Sequence, residues 1–292
     1  MATASALIAQ IQVELGAANA DSQANSLFAS ANLYGWLDEA QREFAKRTMC
    51  LRGVNGQTVV TNQDSLPLPD DCLLVEAVIA RKNWNRKVKK VTPTDFINQQ
   101  TGVQTALATD PSIWCEMDGR IYVFPRYSNS SLTSTLNATT TAAATTLTLA
   151  STGNLRSYGR VLIGSEEIEY TGKSTTTLTG CRRGVAQTTA ASYASGQTVT
   201  QIDVDILYRR MPIALASTAS PEIRSSYHDL LKYYVKHMAL TAEGALEKAS
   251  AQFELWDKGV TEAEYTAKRE ALGTVTIRDT ETQSLSDMYG PI

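Results

Sequence analysis

Leu7, Ile8, Ile11 and Leu15 recur at helical spacing, and Gly16 is placed to stop the short helix they predict. A clearer stripe follows. Leu33, Trp36, Leu37, Ala40 and Phe44 share one helical face, while Asp38, Glu39, Arg42, Lys46 and Arg47 fall mostly on the others. Acids precede bases along this segment, which suits the helix dipole. From Thr58 to Val91 the period changes. Leu66-Pro67-Leu68-Pro69 cannot be helix interior, because proline lacks the amide donor and restricts its predecessor. Leu73 to Ile79 reads as a buried strand. Arg81 to Lys90, with six basic residues in ten, reads as a hairpin tip that returns through Val88 and Val91. Thr92-Pro93-Thr94-Asp95 then predicts a capped short helix through Phe96 and Ile97.

The segment Pro111 to Pro125 places Asp118-Gly119 between two apolar runs. This is a strong hairpin signal, since both turn residues must accept positive φ. The second run leads into a Thr-rich, low-charge stretch, and aliphatic alternation resumes only at Ile202 to Tyr208. The pattern predicts a sheet interrupted by an insertion and then continued. Residues 131–201 hold 18 threonines and no tryptophan, whereas the rest of the chain has four tryptophans. Val161-Leu162-Ile163, Ile168-Glu169-Tyr170, Thr177-Leu178-Thr179 and Thr198-Val199-Thr200 are short β-prone runs separated by Gly and Ser turns, which predicts a small all-β domain. Asn137 to Thr148 fits either a flexible arm or a Thr-rich strand.

Helical spacing returns near the end. Ser220-Pro221-Glu222 has the form of a helix start, and Ile223, Tyr227, Leu230, Leu231, Tyr234 and Met238 make an apolar face that Gly244 ends. Leu246, Ala249, Phe253, Trp256, Val260, Ala263 and Ala267 step by threes and fours. This heptad-like seam suits packing along a neighbouring helix of this chain or another.

At 292 residues the chain can bury a sizeable core, and its formal charge of −3 gives no global sign of tight nucleic-acid binding. No apolar run approaches the ~20 residues that span a bilayer. Ala18-Asn19-Ala20 imitates a leader cleavage site, but the first basic residue is Arg42, so no secretory leader is expected. Cys50, Cys72, Cys115 and Cys181 lie far apart, as expected of free, partly buried thiols in a reducing compartment. His228 and His237 are nine residues apart, which on a helix places them on nearly opposite faces and argues against zinc.

Other motifs fail on context. Gly172-Lys173-Ser174 imitates the end of a phosphate loop, but Glu167 stands where the first glycine belongs and the surroundings read strand–turn–strand. His228-Asp229 with Ser225 or Ser226 cannot align as a triad from adjacent positions on one helix, so a surface or interface histidine is expected. Glu166, Glu167 and Glu169 imitate a glycosidase pair. Glu167 and Glu169 would lie about 7 Å apart on one strand face, and solvated carboxylates are expected there. Trp36, Trp114 and Trp256 sit in amphipathic patterns that make them core. Neither catalytic residues, nor a cofactor, nor a metal is expected.

The order of elements resembles the tailed-bacteriophage head–tail adaptor (connector) family. The residues that carry it are Trp36 to Glu43, Leu66 to Asp70, Asp110 to Trp114, Asp118 to Pro125, Tyr208-Arg209-Arg210-Met211-Pro212, and the helix with Tyr227-His228. The likeness covers residues 30–130 and 203–270. Ile163 to Gly172, Leu178 to Gly184 and Gly196 to Val199 depart from the plain adaptor pattern and resemble a small β module grafted onto various phage virion proteins. The implied fold is α+β. A helical adaptor core, with N-terminal helices and two long C-terminal helices around a small antiparallel sheet, would occupy 1–130 and 202–272. The Thr-rich β domain would occupy 131–201, and an extended arm 273–292.

The resemblance implies a structural virion protein of the phage neck, assembled in the bacterial host cytoplasm. It would form a ring, usually a dodecamer, that joins the portal protein to a tail nozzle, tube or terminator protein and extends the DNA channel. Contact with passing DNA would be transient and non-specific, and no membrane is involved. The expected portal or subunit interface is Arg81, Lys82, Trp84, Arg86, Lys87, Lys89 and Lys90 in the basic run, with Val275, Ile277, Arg278, Met288 and Tyr289 in the arm. Leu246, Phe253, Trp256 and Val260 are the expected inter-helix seam. The alternatives are another phage tail or host-surface-binding protein that uses the β module, and, with no catalytic constellation to support it, a cell-wall hydrolase.

Overall fold

The computed structural model describes residues 2–22, 26–82, 86–101 and 106–272. The described helices are α1 Ala4–Glu14, α2 Ser30–Thr48, α3 Pro93–Gln100, α4 His228–Glu243 and α5 Leu246–Leu272. The chain divides into two compact units, Met1–Leu51 with Met211–Ile292, and Arg52–Arg210. With several antiparallel sheets beside these helices, the fold is α+β, as the periodicities predict.

The first unit is helical. Thr3 caps α1 by accepting the Ala6 amide at 3.3 Å, and Gly16 leaves the helix at φ 70°. Ile8, Ile11, Leu33, Leu37, Phe44, Leu231, Val235, Trp256 and Val260 form one core. Trp256 lies between Phe44 and Tyr234, at ring-centroid distances of 6.1 and 5.1 Å. Trp36 packs against this core half-buried. Gly244 ends α4 at φ 86°, and α5 returns along it. The two helices come so close that a Cβ at Gly259 would lie 2.2 Å from Cδ2 of Leu230. Arg47 of α2 clamps α5 through Asp257 at 2.7 Å and Glu264 at 3.0 Å. The helix expected from Ser220 starts later, with a short turn at Ser225–Tyr227 and then α4. Glu222 is drawn away to accept the Ile213 amide at 2.8 Å, so it does not serve a first turn.

The second unit is built of sheets. Its strands are β1 Arg52–Gln57, β2 Ser65–Pro67, β3 Cys72–Ala80, β4 Arg86–Lys87, β5 Lys89–Lys90, β6 Leu107–Ala108, β7 Ile113–Met117, β8 Arg120–Phe124 and β9 Arg126–Tyr127. Then come β10 Thr133–Thr135, β11 Thr146–Thr148, β12 Gly159–Ile163, β13 Glu166–Tyr170, β14 Gly172–Lys173, β15 Thr177–Thr179, β16 Arg182–Val185, β17 Thr198–Gln201 and β18 Val204–Arg210. One sheet runs β1-β18-β3-β4 and a second runs β2-β8-β7-β5. Val75, Val78, Val204 and Ile206 from the first pack with Leu66, Trp114, Ile121 and Val123 from the second. Val88 ties the two together: its amide bonds to Val78 at 2.8 Å and its carbonyl accepts Trp114 Nε1 at 3.2 Å.

Asp118 and Gly119 turn between β7 and β8 at φ 50° and 68°, the two positive values the Asp-Gly pair predicts. Thr92 caps α3 by accepting the Asp95 amide at 3.2 Å and donating to its carboxylate at 2.7 Å. A sheet is interrupted and then continued, and the continued sheet is that of β1 and β3 rather than the β7–β8 hairpin: β18 lies between β1 and β3, where Val204 and Ile206 complete the facing side of the same core.

Residues 133–201 form a five-stranded sheet, β10-β17-β12-β13-β16, and a three-stranded one, β11-β15-β14. Leu136, Leu147, Leu149, Val161, Ile163, Ile168, Leu178 and Val199 form their core. Each expected β-prone run is a strand. Asn137 to Thr148 is tied down by β11 and by bridges of Leu136 to Leu149 and Thr140 to Tyr193, which favours the strand over the arm.

Candidate assembly surface

The basic run divides into an inward and an outward half. Arg81 pairs with buried Asp205, and Lys82 lies 3.7 Å from Asp203 while donating to the Ser130 carbonyl at 2.8 Å. Both are committed within the chain. Arg86 donates to the Pro111 carbonyl at 3.2 Å from an exposed position. Lys87, Lys89 and Lys90 are exposed, and Lys90 Nζ sits 4.8 Å over the Trp114 ring. Alternation explains the exposure of Lys87 and Lys89, which face away from the core that Val88 enters. Trp84, Val275, Ile277, Arg278, Met288, Tyr289 and the arm 273–292 lie outside the described residues.

Lys89 and Lys90 open onto a cavity of about 920 Å³ whose other walls are the start of α3 and the β7–β8 turn. Asp95, Glu116 and Asp118 line it too, so it presents both signs of charge.

The helical seam also divides. Trp256 and Val260 are 1% and 0% exposed, buried within the chain. Leu246 and Phe253 on the same stripe are 65% and 42% exposed. With His237, Thr241, Ala249 and Ser250 they line an apolar recess of about 300 Å³. His237 Nδ1 bonds to the Ala249 carbonyl at 3.0 Å, and its ring meets Phe253 at a centroid distance of 5.0 Å.

Two expectations about polar residues are overturned. Glu166 and Glu167 are buried, at 0% and 3% exposure, not solvated, whereas the Glu169 side chain is 44% exposed, as expected. Burial pushes Glu166 up, but the Arg183 fork and the Ala191 and Gly184 amides outweigh it and hold the carboxyl below its usual range. For Glu167 burial wins over the Arg160 charge and the Gly56 amide, and its pKa is raised. His228 is buried rather than on the helix surface; its Nε2 lies 3.0 Å from the Ile223 carbonyl. Lys173 of the Gly-Lys-Ser run donates to the Thr152 carbonyl at 2.9 Å, a structural contact between loop and strand. Among the described residues no group of three or more His, Cys, Asp or Glu is placed to hold a metal, and no helix is long and apolar enough to cross a membrane.

Sequence reasoning missed the buried acids Asp203 and Asp205 and the half-buried Arg156 and Arg160 that pair with them. A signal was present. Asp203 and Asp205 alternate with aliphatics in Ile202-Asp203-Val204-Asp205-Ile206, so two acids share one face of a strand whose other face is core.

The described surface offers a partner a basic strand edge at Lys87, Lys89 and Lys90 and the exposed apolar side chains of Leu246 and Phe253. The family model described as SU10 adaptor protein matches residues 2–283, and the chain belongs to that family. It is a phage structural adaptor, a component of the virion that meets other head and tail components, and its family is not an enzyme class. No curated protein matches the chain.

Proposed function

We propose that copies of this chain close into a ring, twelve in number, that sits between the portal protein and the tail. The ring would extend the DNA channel and offer the tail nozzle, tube or terminator a platform. The observation that carries this reading is the family match along nearly the whole chain. The seam supports it: Leu246 and Phe253 stand exposed on either side of buried Ala249, and they leave apolar surface for a neighbouring copy, while Trp256 and Val260 are buried within the chain. Lys87, Lys89 and Lys90 would face an acidic partner surface, the portal rather than DNA, since a channel must let the genome slide.

Residues 131–201 are read as an inserted β domain. Their strands pair among themselves, and their core residues all come from that segment. The test is native mass measurement and electron microscopy of the purified protein, alone and with its portal. Closed rings that cap the portal support the proposal, whereas a monomer without affinity for the portal overturns it.

A further inference from the structure

Within the second unit, the 131–201 segment meets the β1-β18-β3 sheet through charges. The two hydrophobic clusters on either side share no residue. Between them, Arg160 of β12 pairs with Asp205 of β18 and with Glu167 of β13. Asp205 also receives Arg81, which follows β3. Beside these four charges, Arg156 pairs with Asp203 at 2.8 Å, and Ser131 donates to the same carboxylate at 2.8 Å. Glu167 reaches across to accept the Gly56 amide of β1 at 2.8 Å. Gly56 is needed there, because a Cβ would lie 2.7 Å from the Glu167 carboxylate.

The chain enters and leaves the segment side by side. Thr133 is paired with Thr200, and the Gln201 amide donates to Leu132 at 2.8 Å. Beyond this double crossing, the Ile202 amide still bonds to β12 at 3.0 Å, while the Asp203 amide bonds to Gln57 at 3.0 Å. Ile202 is buried at the crossing but belongs to neither cluster.

Buried ion pairs have a particular energetic character. Desolvation offsets most of their mutual attraction, so an intact pair adds little net adhesion. Removal of one partner leaves the other buried and uncompensated. Such pairs therefore set orientation strongly and cohesion weakly. An apolar contact of the same size would do the reverse.

We infer that residues 131–201 are mounted on the β1-β18-β3 sheet by an ionic hinge, which fixes one orientation and opens as a unit while both hydrophobic cores stay folded. The hinge turns on the paired crossing at Leu132 and Gln201. The inference rests on the reading of 131–201 as a domain but not on ring formation, so failure of either leaves the other standing.

Native-state hydrogen exchange of the full chain, read by mass spectrometry, tests it. In the unmodified protein the amides of Gly56 and Ile202, which bond across the joint to Glu167 and to the Arg160 carbonyl, exchange at least tenfold faster than those of the β7–β8 hairpin or the β12–β13 pair. Arg160→Met strips buried Glu167 of its cation and raises exchange at the joint about a hundredfold, and the isosteric Asp205→Asn, which leaves Arg160 paired with Glu167, raises it at least tenfold. Protection in β7–β8 and in β11–β15 stays at its original level. If either variant strips protection from both cores together, the second unit is one cooperative body and the hinge is wrong. If neither changes exchange at the joint, the charges do not hold it, and the inference also fails.

Discussion

Arg183 grips Glu166 with both arms of its guanidinium. Nε lies 2.8 Å from Oε1 and Nη2 lies 2.7 Å from Oε2, in a pair whose carboxylate side chain is fully buried. The amides of Gly184 and Ala191 complete its partners at 2.9 and 3.1 Å. A carboxylate held below its ordinary value of 4.5 adds stability above that pH and loses it as the pH falls through the lowered value. Glu166→Gln should therefore cost about 3 kcal/mol at pH 7. The gap to the unmodified protein should narrow as the pH drops below 4.5. Urea denaturation at a series of pH values measures both; a gap that widens in acid would contradict the assignment.

Close approach of α4 and α5 makes Gly259 sensitive to size. Gly259→Val should destabilise the helical unit by about 1–3 kcal/mol, since it must displace Leu230 from a packed contact. Leu230→Ala in the same chain should recover part of the loss relative to the sum of the single changes, as a double-mutant cycle in chemical denaturation would reveal.

The two ends of the seam should separate stability from assembly. Trp256→Ala removes a buried ring between Phe44 and Tyr234 and should cost about 3–5 kcal/mol. Leu246→Ser, at an exposed position, should leave monomer stability within about 0.5 kcal/mol. If the proposed ring uses this stripe, Leu246→Ser should still shift native mass spectra toward monomer. An unaltered ring would move the interface elsewhere.

Lys87→Glu with Lys89→Glu reverses charge on an exposed edge and should leave the thermal melt unchanged within about 2 °C. Under the proposed portal contact, association should slow at least tenfold, and the difference should shrink as salt rises. Kinetic binding at two ionic strengths checks this.

Thiol reactivity should follow burial. Cys50 is exposed. Burial first, then the charges of Glu116 and Asp71, push the Cys72 thiol up to about 11, and burial does the same to Cys181. A thiol-disulfide reagent at pH 8 should therefore modify Cys50 within minutes. Cys72, Cys115 and Cys181 should react only slowly until denaturant is added, as timed absorbance would show.

Local signals were legible wherever a residue's own chemistry decides the backbone. Asp118-Gly119, Thr92-Pro93 and Gly244 each force one turn or cap, and the structure has each of them. Apolar stripes such as Leu33 to Phe44 likewise located the helical core. Long-range choices were not legible. The partners of β18 depend on which sheet lacks a strand, something that Ile202 to Tyr208 cannot report about itself. Glu166 and Glu167 read as solvated because their partners Arg183, Arg160 and Gly56 stand 17, 7 and 111 positions away. Nothing in one strand announces that a distant guanidinium will seal it. Ser220-Pro221-Glu222 misled for a related reason, since Ile213 claims the carboxylate that a first turn would have used.

The placement of β18 has a bearing on how the chain is made. β1 and β3 both precede residues 131–201, yet the slot between them in the sheet belongs to a strand synthesised after that segment. A nascent polypeptide thus emerges with a gap at the centre of a sheet, and the Thr-rich region must be translated before the gap can be filled. Premature termination anywhere before Val204 would leave two raw strand flanks facing each other, ready to capture a stranger.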